Sequence, residues 1–322
     1  MEAHGVPVGH GWENTTAEIQ AREGFKGVDL DGFYDAFIQH VCCGEKSVRM
    51  YDVGSLIDSL RNDFAKATLP TRLPQPKRKA ALFKANETDP ELLCVVSKPD
   101  GLCGVFGAIR THDQQTELKD DQVPEAVREA LPSFDELIVV RASKFQSYGA
   151  IWLPAKGTVV EIRADHFVGH SLESALDFHQ KLYEQLHAKS GSKAIVAPKD
   201  VFPAVKNLYG AVDEGIVMEL AFATTTGSVK HERMRSKESL RKEVYHVGGK
   251  EALATDIEPF RLGVRWSREY LGTKRYNVPE LHLEGSLSMV GSASAGLTKF
   301  TVRKAANEED YNWVRDKLVE YL

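Results

Sequence analysis

Hydrophobic positions recur at helical spacing near the start of this chain and at every second residue near its end. Phe33, Phe37, Ile38 and Val41 share one helical face, with Asp31 placed to cap the segment and Gly44 to end it. A second stripe, Val53, Leu56, Ile57, Leu60 and Phe64, follows Asp52, which is read as its cap. The run TLPTRLPQPKRK (68–79) then carries Pro70, Pro74 and Pro76, which hold the backbone extended and stop helix and sheet alike.

Between residues 81 and 190 strands alternate with two helices. Leu92–Ser97 and Leu102–Arg110 flank Lys98-Pro99-Asp100-Gly101, a tight-turn signal that predicts a hairpin. A short helix is expected around Pro124–Leu131, strands at Glu136–Arg141, Tyr148–Leu153 and Thr158–Ala164, and a long helix at Ser171–Ala188. That helix has Leu172, Ala175, Leu176, His179, Leu182, Tyr183 and Leu186 on one face. His179 on this apolar face reads as a core histidine.

Period-two alternation is cleanest in the last third. Ile216, Met218, Leu220 and Phe222 alternate with Val217, Glu219 and Ala221; Phe260, Leu262, Val264 and Trp266 with Arg261, Gly263, Arg265 and Ser267; Leu281, Leu283 and Leu287 with His282, Glu284, Ser286 and Ser288. Such strands bury one face and wet the other, as in antiparallel sheets. Thr298–Arg303 reads as a further strand, and Asn307 as the cap of a closing helix that buries Tyr311, Val314, Leu318 and Tyr321. The stretches 159–186 and 300–322 are both a strand, a polar turn and an amphipathic helix, an echo too loose to establish duplication.

Together these patterns predict an α+β fold. A helical N-terminal part (1–67) leads through a Pro-rich basic linker (68–80) to an α+β unit (81–192), and then to an antiparallel-sheet α+β unit with a basic surface (193–322).

Charge changes the picture locally. The chain carries −5 overall, yet residues 230–275 hold 12 Lys or Arg against 7 Asp or Glu. The cations are Lys230, Arg233, Arg235, Lys237, Arg241 and Lys242, in a segment expected to end a strand and open a helix at Ser236, followed by Lys250 and then Arg261, Arg265, Arg268, Lys274 and Arg275. Trp266, Tyr270 and Tyr276 are interleaved, although Trp266 alternates with the core set. A basic stretch on an acidic protein fits an anionic partner. Paired as antiparallel neighbours, the last strands put Glu219, Arg261, Arg265, His282, Glu284, Thr301 and Arg303 on one wet face. Arginine forks suit phosphate, but a charged outer face held together by cross-strand Arg–Glu pairs has the same signature.

The remaining chemistry is sparse. Cys42, Cys43, Cys94 and Cys103 form no CxxC pair, and four cysteines make no secreted disulfide scaffold of this size. With no signal-like start and no long apolar run, a reduced, cytoplasmic protein without membrane contact is expected. PKRK (76–79) is read as linker charge rather than an import signal. No run ends in Gly-Lys-Ser or Gly-Lys-Thr, and neither GxGxxG nor Gly-x-Ser-x-Gly occurs. Gly291-Ser292-Ala293-Ser294-Ala295-Gly296 reads as a hairpin loop.

The expected function is nucleic-acid binding, to DNA or RNA, through phosphate contacts from the eleven cations of 230–242 and 261–275, with a protein partner or a second copy of the chain compatible with it. The alternative is a metal-dependent phosphodiester hydrolase on the same surface, with Glu219, His282 and Glu284 as candidate ligands for a divalent ion. A weaker metal candidate is Glu161 with Asp165, where Arg163 stands in the place of a nuclease lysine. No cofactor is implied outside that alternative. A protein–protein scaffold is the third reading.

Overall fold

The computed structural model describes residues 5–6, 10, 12–21, 26–67, 69–70, 72–74, 77, 79–130, 136–166, 172–189, 197–253, 255–269, 276–293 and 296–322. Its centre is a strand from the N-terminal part, β1 (Lys46–Asp52). On one side β1 pairs with β5 (Val159–Asp165), and beyond it lie β4 (Ile138–Pro154), β3 (Gly101–Glu117) and β2 (Glu91–Lys98). On the other side it pairs with β12 (Phe300–Arg303), followed by β11 (Glu280–Glu284), β8 (Glu258–Arg265), β6 (Ile216–Ala223) and β7 (Val229–Arg233). The result is one ten-stranded antiparallel sheet, with β9 (Arg268–Glu269) and β10 (Tyr276–Asn277) as a separate small ribbon. The α+β class read from the sequence is correct.

The helices are α1 (Trp12–Ala21), α2 (Leu30–Cys43), α3 (Ile57–Ala65), α4 (Lys79–Lys84), α5 (Glu125–Ala130), α6 (Leu172–Lys189), α7 (Pro203–Gly210), α8 (Val244–Glu251) and α9 (Glu308–Glu320). Two apolar layers form because alternate strand residues point to opposite faces. On one face α3 and α6 cover Tyr51, Phe106, Ile151, Val160 and Ile162, and this cluster stops at β1. On the other face α2, α7 and α9 bury Val48, Met50, Trp152, Leu262, Val264, Leu281, Leu283, Phe300 and Val302.

Several local expectations shift. Asp29, not Asp31, caps α2, accepting from the Gly32 amide, while Asp31 pairs with Arg72. Asp52 ends β1 instead of capping a helix; it accepts from the Gly54 amide and the Thr158 hydroxyl, and α3 begins at Ile57. The buried side of α6 is Phe178, His179, Leu182 and Leu186, with Leu176 exposed. Leu287 lies in a 3-10 turn after β11 and is exposed, so that alternation ends at Glu284. Ser236 opens no helix: α8 starts at Val244 under a cap from Glu243. Asn307 does cap α9, and Trp266 is buried with Nε1 donating to Glu214.

Close helix–sheet approach rests on glycine. A Cβ at Gly104 would stand 2.1 Å from Cε1 of Phe64 on α3. Gly104→Ala is therefore expected to cost about 1–3 kcal/mol by overpacking, measured as a shift of the urea midpoint. An unchanged midpoint would show that α3 slides freely.

A buried ionic cluster joins α9 to the sheet. Arg163, on β5, donates through Nε to Glu161 at 2.9 Å and lies under the rings of Tyr311 (4.1 Å to the centroid) and Trp152 (5.3 Å). Glu161 also accepts from Tyr311 Oη (2.7 Å) and Arg315 Nη1 (3.1 Å). Burial alone would raise the Glu161 pKa, but Arg163 and Arg315 outweigh it and the carboxyl sits below its ordinary value. Asp165 is taken by Lys46 and the Tyr148 amide. The Glu161/Asp165 metal reading is thus corrected: both carboxylates serve structural pairs.

Candidate functional site

The cross-strand register decides which polar residues meet. Ser47, Thr301, His282, Gly263, Glu219 and Arg233 lie in one row across β1, β12, β11, β8, β6 and β7. On one side of it run Arg303, Glu280 and Arg265; on the other, Glu284 stands opposite Arg261, with Arg49 on β1 and Lys299 immediately before β12. All belong to the face that α3 and α6 cover only as far as β1. The face therefore gathers the seven residues that alternation grouped, Glu219, Arg261, Arg265, His282, Glu284, Thr301 and Arg303.

Three carboxylates on this face are paired. Glu219 accepts from Arg233 at 3.0 Å, lies 2.9 Å from His231 Nε2, and has Arg261 at 3.9 Å. Burial would raise its pKa, yet His231, Arg233 and His282 hold it below the ordinary carboxyl range. Glu280 takes Lys304 at 2.6 Å and His282 at 3.2 Å; against the cost of burial these lower its pKa from 4.5 to about 2. Glu284 has Lys299 at 3.8 Å. The candidate metal ligands Glu219, His282 and Glu284 do share a face, but each carboxylate faces a cation. Among the described residues no group of three His, Cys, Asp or Glu has the geometry to hold a metal ion.

The cations are less well matched. Six of them, Arg49, Arg233, Arg261, Arg265, Lys299 and Arg303, face those three carboxylates. Arg265 donates to the Ser236 carbonyl at 2.9 Å. Arg303 makes no hydrogen bond or ion pair among the described residues, and Arg261 has only the 3.9 Å approach to Glu219. The Nε atoms of Arg49, Arg261 and Arg303 and the hydroxyl of Thr301 are sealed from water and have no hydrogen-bond partner among the described residues. Burial, with Arg49 and Arg261 nearby, lowers the Lys299 pKa, and His166 is lowered by burial with Arg303 and Lys299 adding to it. Such crowding of positive charge is unfavourable without an anion to screen it.

Of the nine described cations among the eleven expected to bind, only Arg233, Arg261 and Arg265 stand on this face. Arg241 donates to the carbonyls of Leu208, Tyr209, Glu214 and Gly215, closing the C-terminal end of α7. Arg268 donates to Glu309, on α9, and lies over Trp313. Lys230 lines a cavity with Phe222 and Tyr245 on the opposite face. Arg235, Lys237 and Lys242 are exposed outside the rows. Lys274 and Arg275 fall outside the described residues, as does Tyr270. Arg49 and Lys299 were missed; the alternation of Val48 and Met50 with Ser47, Arg49 and Tyr51 was the available signal for β1.

At the rim, His179 of α6 lies 3.0 Å from the Ser47 hydroxyl and is fully buried. Burial, with Arg49 and Lys299 beside it, lowers its pKa from 6.5 to about 3. A folded-state pKa below the unfolded one gives stability that is complete above pH 6.5 and is lost as the pH falls towards 3. Urea unfolding between pH 4 and 6 should show a slope approaching about 1.4 kcal/mol per pH unit from this group, absent in His179→Gln. The same slope in the variant would refute the assignment.

No protein-family model, no curated protein and no solved structure matches this chain. Among the described residues, no helix is long and apolar enough to cross a membrane.

Proposed function

We propose that this protein binds nucleic acid along the phosphate backbone, using the sheet face of β1, β12, β11, β8, β6 and β7. The observation that carries the reading is the surplus of cations there: among the described residues Arg49 and Arg303 have no carboxylate partner, and Arg261 has only Glu219 at 3.9 Å, which Arg233 already holds at 3.0 Å. Size supports a polyanion over a single phosphate. Arg49 and Arg261 are three strands apart, about 14 Å, and Arg261 and Arg265 are about 13 Å apart along β8. The face carries His231 and His282 but no Phe, Tyr or Trp beyond Tyr51 in these rows, which favours contact with the backbone over base stacking. The hydrolase alternative gains nothing from the geometry, because its carboxylates are already neutralised.

The test is affinity for single-stranded DNA and RNA oligonucleotides over a range of salt. Counterion release predicts affinity falling linearly on a log–log plot, by about 0.7 per phosphate contacted. No binding at low salt would sink the reading and leave the scaffold.

A further inference from the structure

On the opposite face of the sheet, three side chains from three elements form a hydrogen-bonded line. The Tyr209 hydroxyl, on α7, lies 2.8 Å from Nε2 of His246 on α8, and Nδ1 of His246 lies 2.5 Å from a carboxylate oxygen of Glu232 on β7. His246 is buried, its ring held edge-on by Tyr209 and Phe222 at interplanar angles of 87° and 83°. In the neutral ring a carboxylate against Nδ1 selects the tautomer with the proton there, in which the Nε2 lone pair accepts from the phenol. Hydroxyl, imidazole and carboxylate in this order are the arrangement by which a base, oriented by a third group, activates a nucleophile.

The line borders a cavity of about 510 Å³, walled by Tyr209, Val212, Arg241, His246, Lys250 and Leu253. An adjoining cavity of about 270 Å³ shares His246, Lys250 and Leu253. These volumes suit a small organic ligand. Arg241 is spent on the carbonyls of α7 and its flank, and Glu251 and Asp256 also stand in the wall. The cations that can turn to a ligand are therefore Lys250, by exchanging its partner Asp256, and Lys230 of the adjoining cavity. The Lys250 ammonium lies 5.2 Å from the Tyr209 ring centroid, with exposed Asp256 at 3.3 Å.

We propose that Tyr209 is an assisted nucleophile towards a small phosphate ester held in this cavity. The phenol oxygen attacks phosphorus as its proton passes to Nε2 of His246. The bond from phosphorus to the leaving alkoxide breaks, the imidazolium returns the proton to that alkoxide, and water then hydrolyses the phosphotyrosine. Lys250 balances the negative charge of the ester. Burial raises the Tyr209 pKa and Lys250 pulls it down, with burial prevailing, so the group enters as a phenol and needs its base. The site stands apart from the charged face and does not depend on the nucleic-acid reading.

The experiment exposes the full chain to an aryl sulfonyl fluoride, a tetrahedral electrophile like the phosphoryl centre, and follows each tyrosine by peptide mass spectrometry. An oxygen–sulfur bond forms, the sulfur–fluorine bond breaks, and the proton leaves through His246 with fluoride. Tyr245, 74% exposed on α8 and with no hydrogen bond to its hydroxyl among the described residues, is the internal control. Tyr209 should be labelled about 100-fold faster than Tyr245, the scale of general-base assistance. His246→Gln and the milder Glu232→Gln should bring Tyr209 down to the Tyr245 rate without changing Tyr245. Phenyl phosphate should protect Tyr209 alone. Labelling of Tyr245 without Tyr209, or an unchanged Tyr209 rate in folded Glu232→Gln, overturns the proposal. Absence of protection by phenyl phosphate overturns the substrate class.

Discussion

Arg163→Met should be among the most destabilising single substitutions in this protein, costing about 3–5 kcal/mol. The side chain is 1% exposed, and its removal takes from Glu161 the partner at 2.9 Å. It also takes the guanidinium from beside the rings of Tyr311 and Trp152 and leaves the Cys42 carbonyl without its 3.3 Å donor. Arg315 and Tyr311 still hold Glu161, which places the cost towards the lower end. Because these groups act on one carboxylate, Arg163→Met combined with Glu161→Leu should cost clearly less than the two changes added separately. Equilibrium unfolding in urea measures both. A loss under about 1 kcal/mol for Arg163→Met, the size of an exposed substitution, would mean that water has reached the cluster and that its burial is not as described.

The arginines of the charged face should behave in the opposite way. Arg49→Gln, Arg261→Gln and Arg303→Gln together remove three cations, of which only Arg261 has an acid in reach, Glu219 at 3.9 Å and already held by Arg233, so stability should hold or rise slightly through relief of repulsion. Nucleic-acid affinity should fall, and the salt slope should become shallower by about two units, at 0.7 per lost phosphate contact to a single strand. Loss of stability with an unchanged slope would assign these arginines to packing and remove the main support for the interface. The two experiments together separate arginine buried with its partners from arginine held ready for an external one.

Strands β8, β11 and β12 were legible because each has one apolar and one polar side. In β6 a register shift between Val217 and Glu219 breaks the period and puts Val217 in the core with Leu220 and Phe222. The hairpin of β2 and β3, apolar on both faces, was legible from its Lys98–Gly101 turn. The grouping of Arg261, Arg265, Glu219, His282, Glu284, Thr301 and Arg303 followed from that same alternation. Strand β1 was not legible. It is seven residues long, follows a helix directly, and its alternation was absorbed into the stripe that begins at Val53. Without β1 there was no way to see Arg49 join Arg303, or that the two sheet units share a central strand. Arg241 and Arg268 looked like their neighbours in sequence, and only tertiary contacts show them spent on α7 and α9. The line from Glu232 to Tyr209 joins a strand to two helices that the periodicity did not announce, since α7 and α8 are each only eight residues long.

The place of β1 also sets the order in which the sheet can be completed. Its two neighbours lie far along the chain: Lys46 pairs with Asp165 on one side and with Val302, close to the last residue of the sequence, on the other. During synthesis the first strand of the sheet emerges early and has no partner until β5 appears, and its second edge stays open until β12 follows. Contacts of such sequence separation form slowly, and an unpaired edge is a template for association with other chains. A nascent chain that stalls before Phe300 therefore presents bare backbone at the middle of its sheet, with the open edges of β1 and β11 offered to any neighbour.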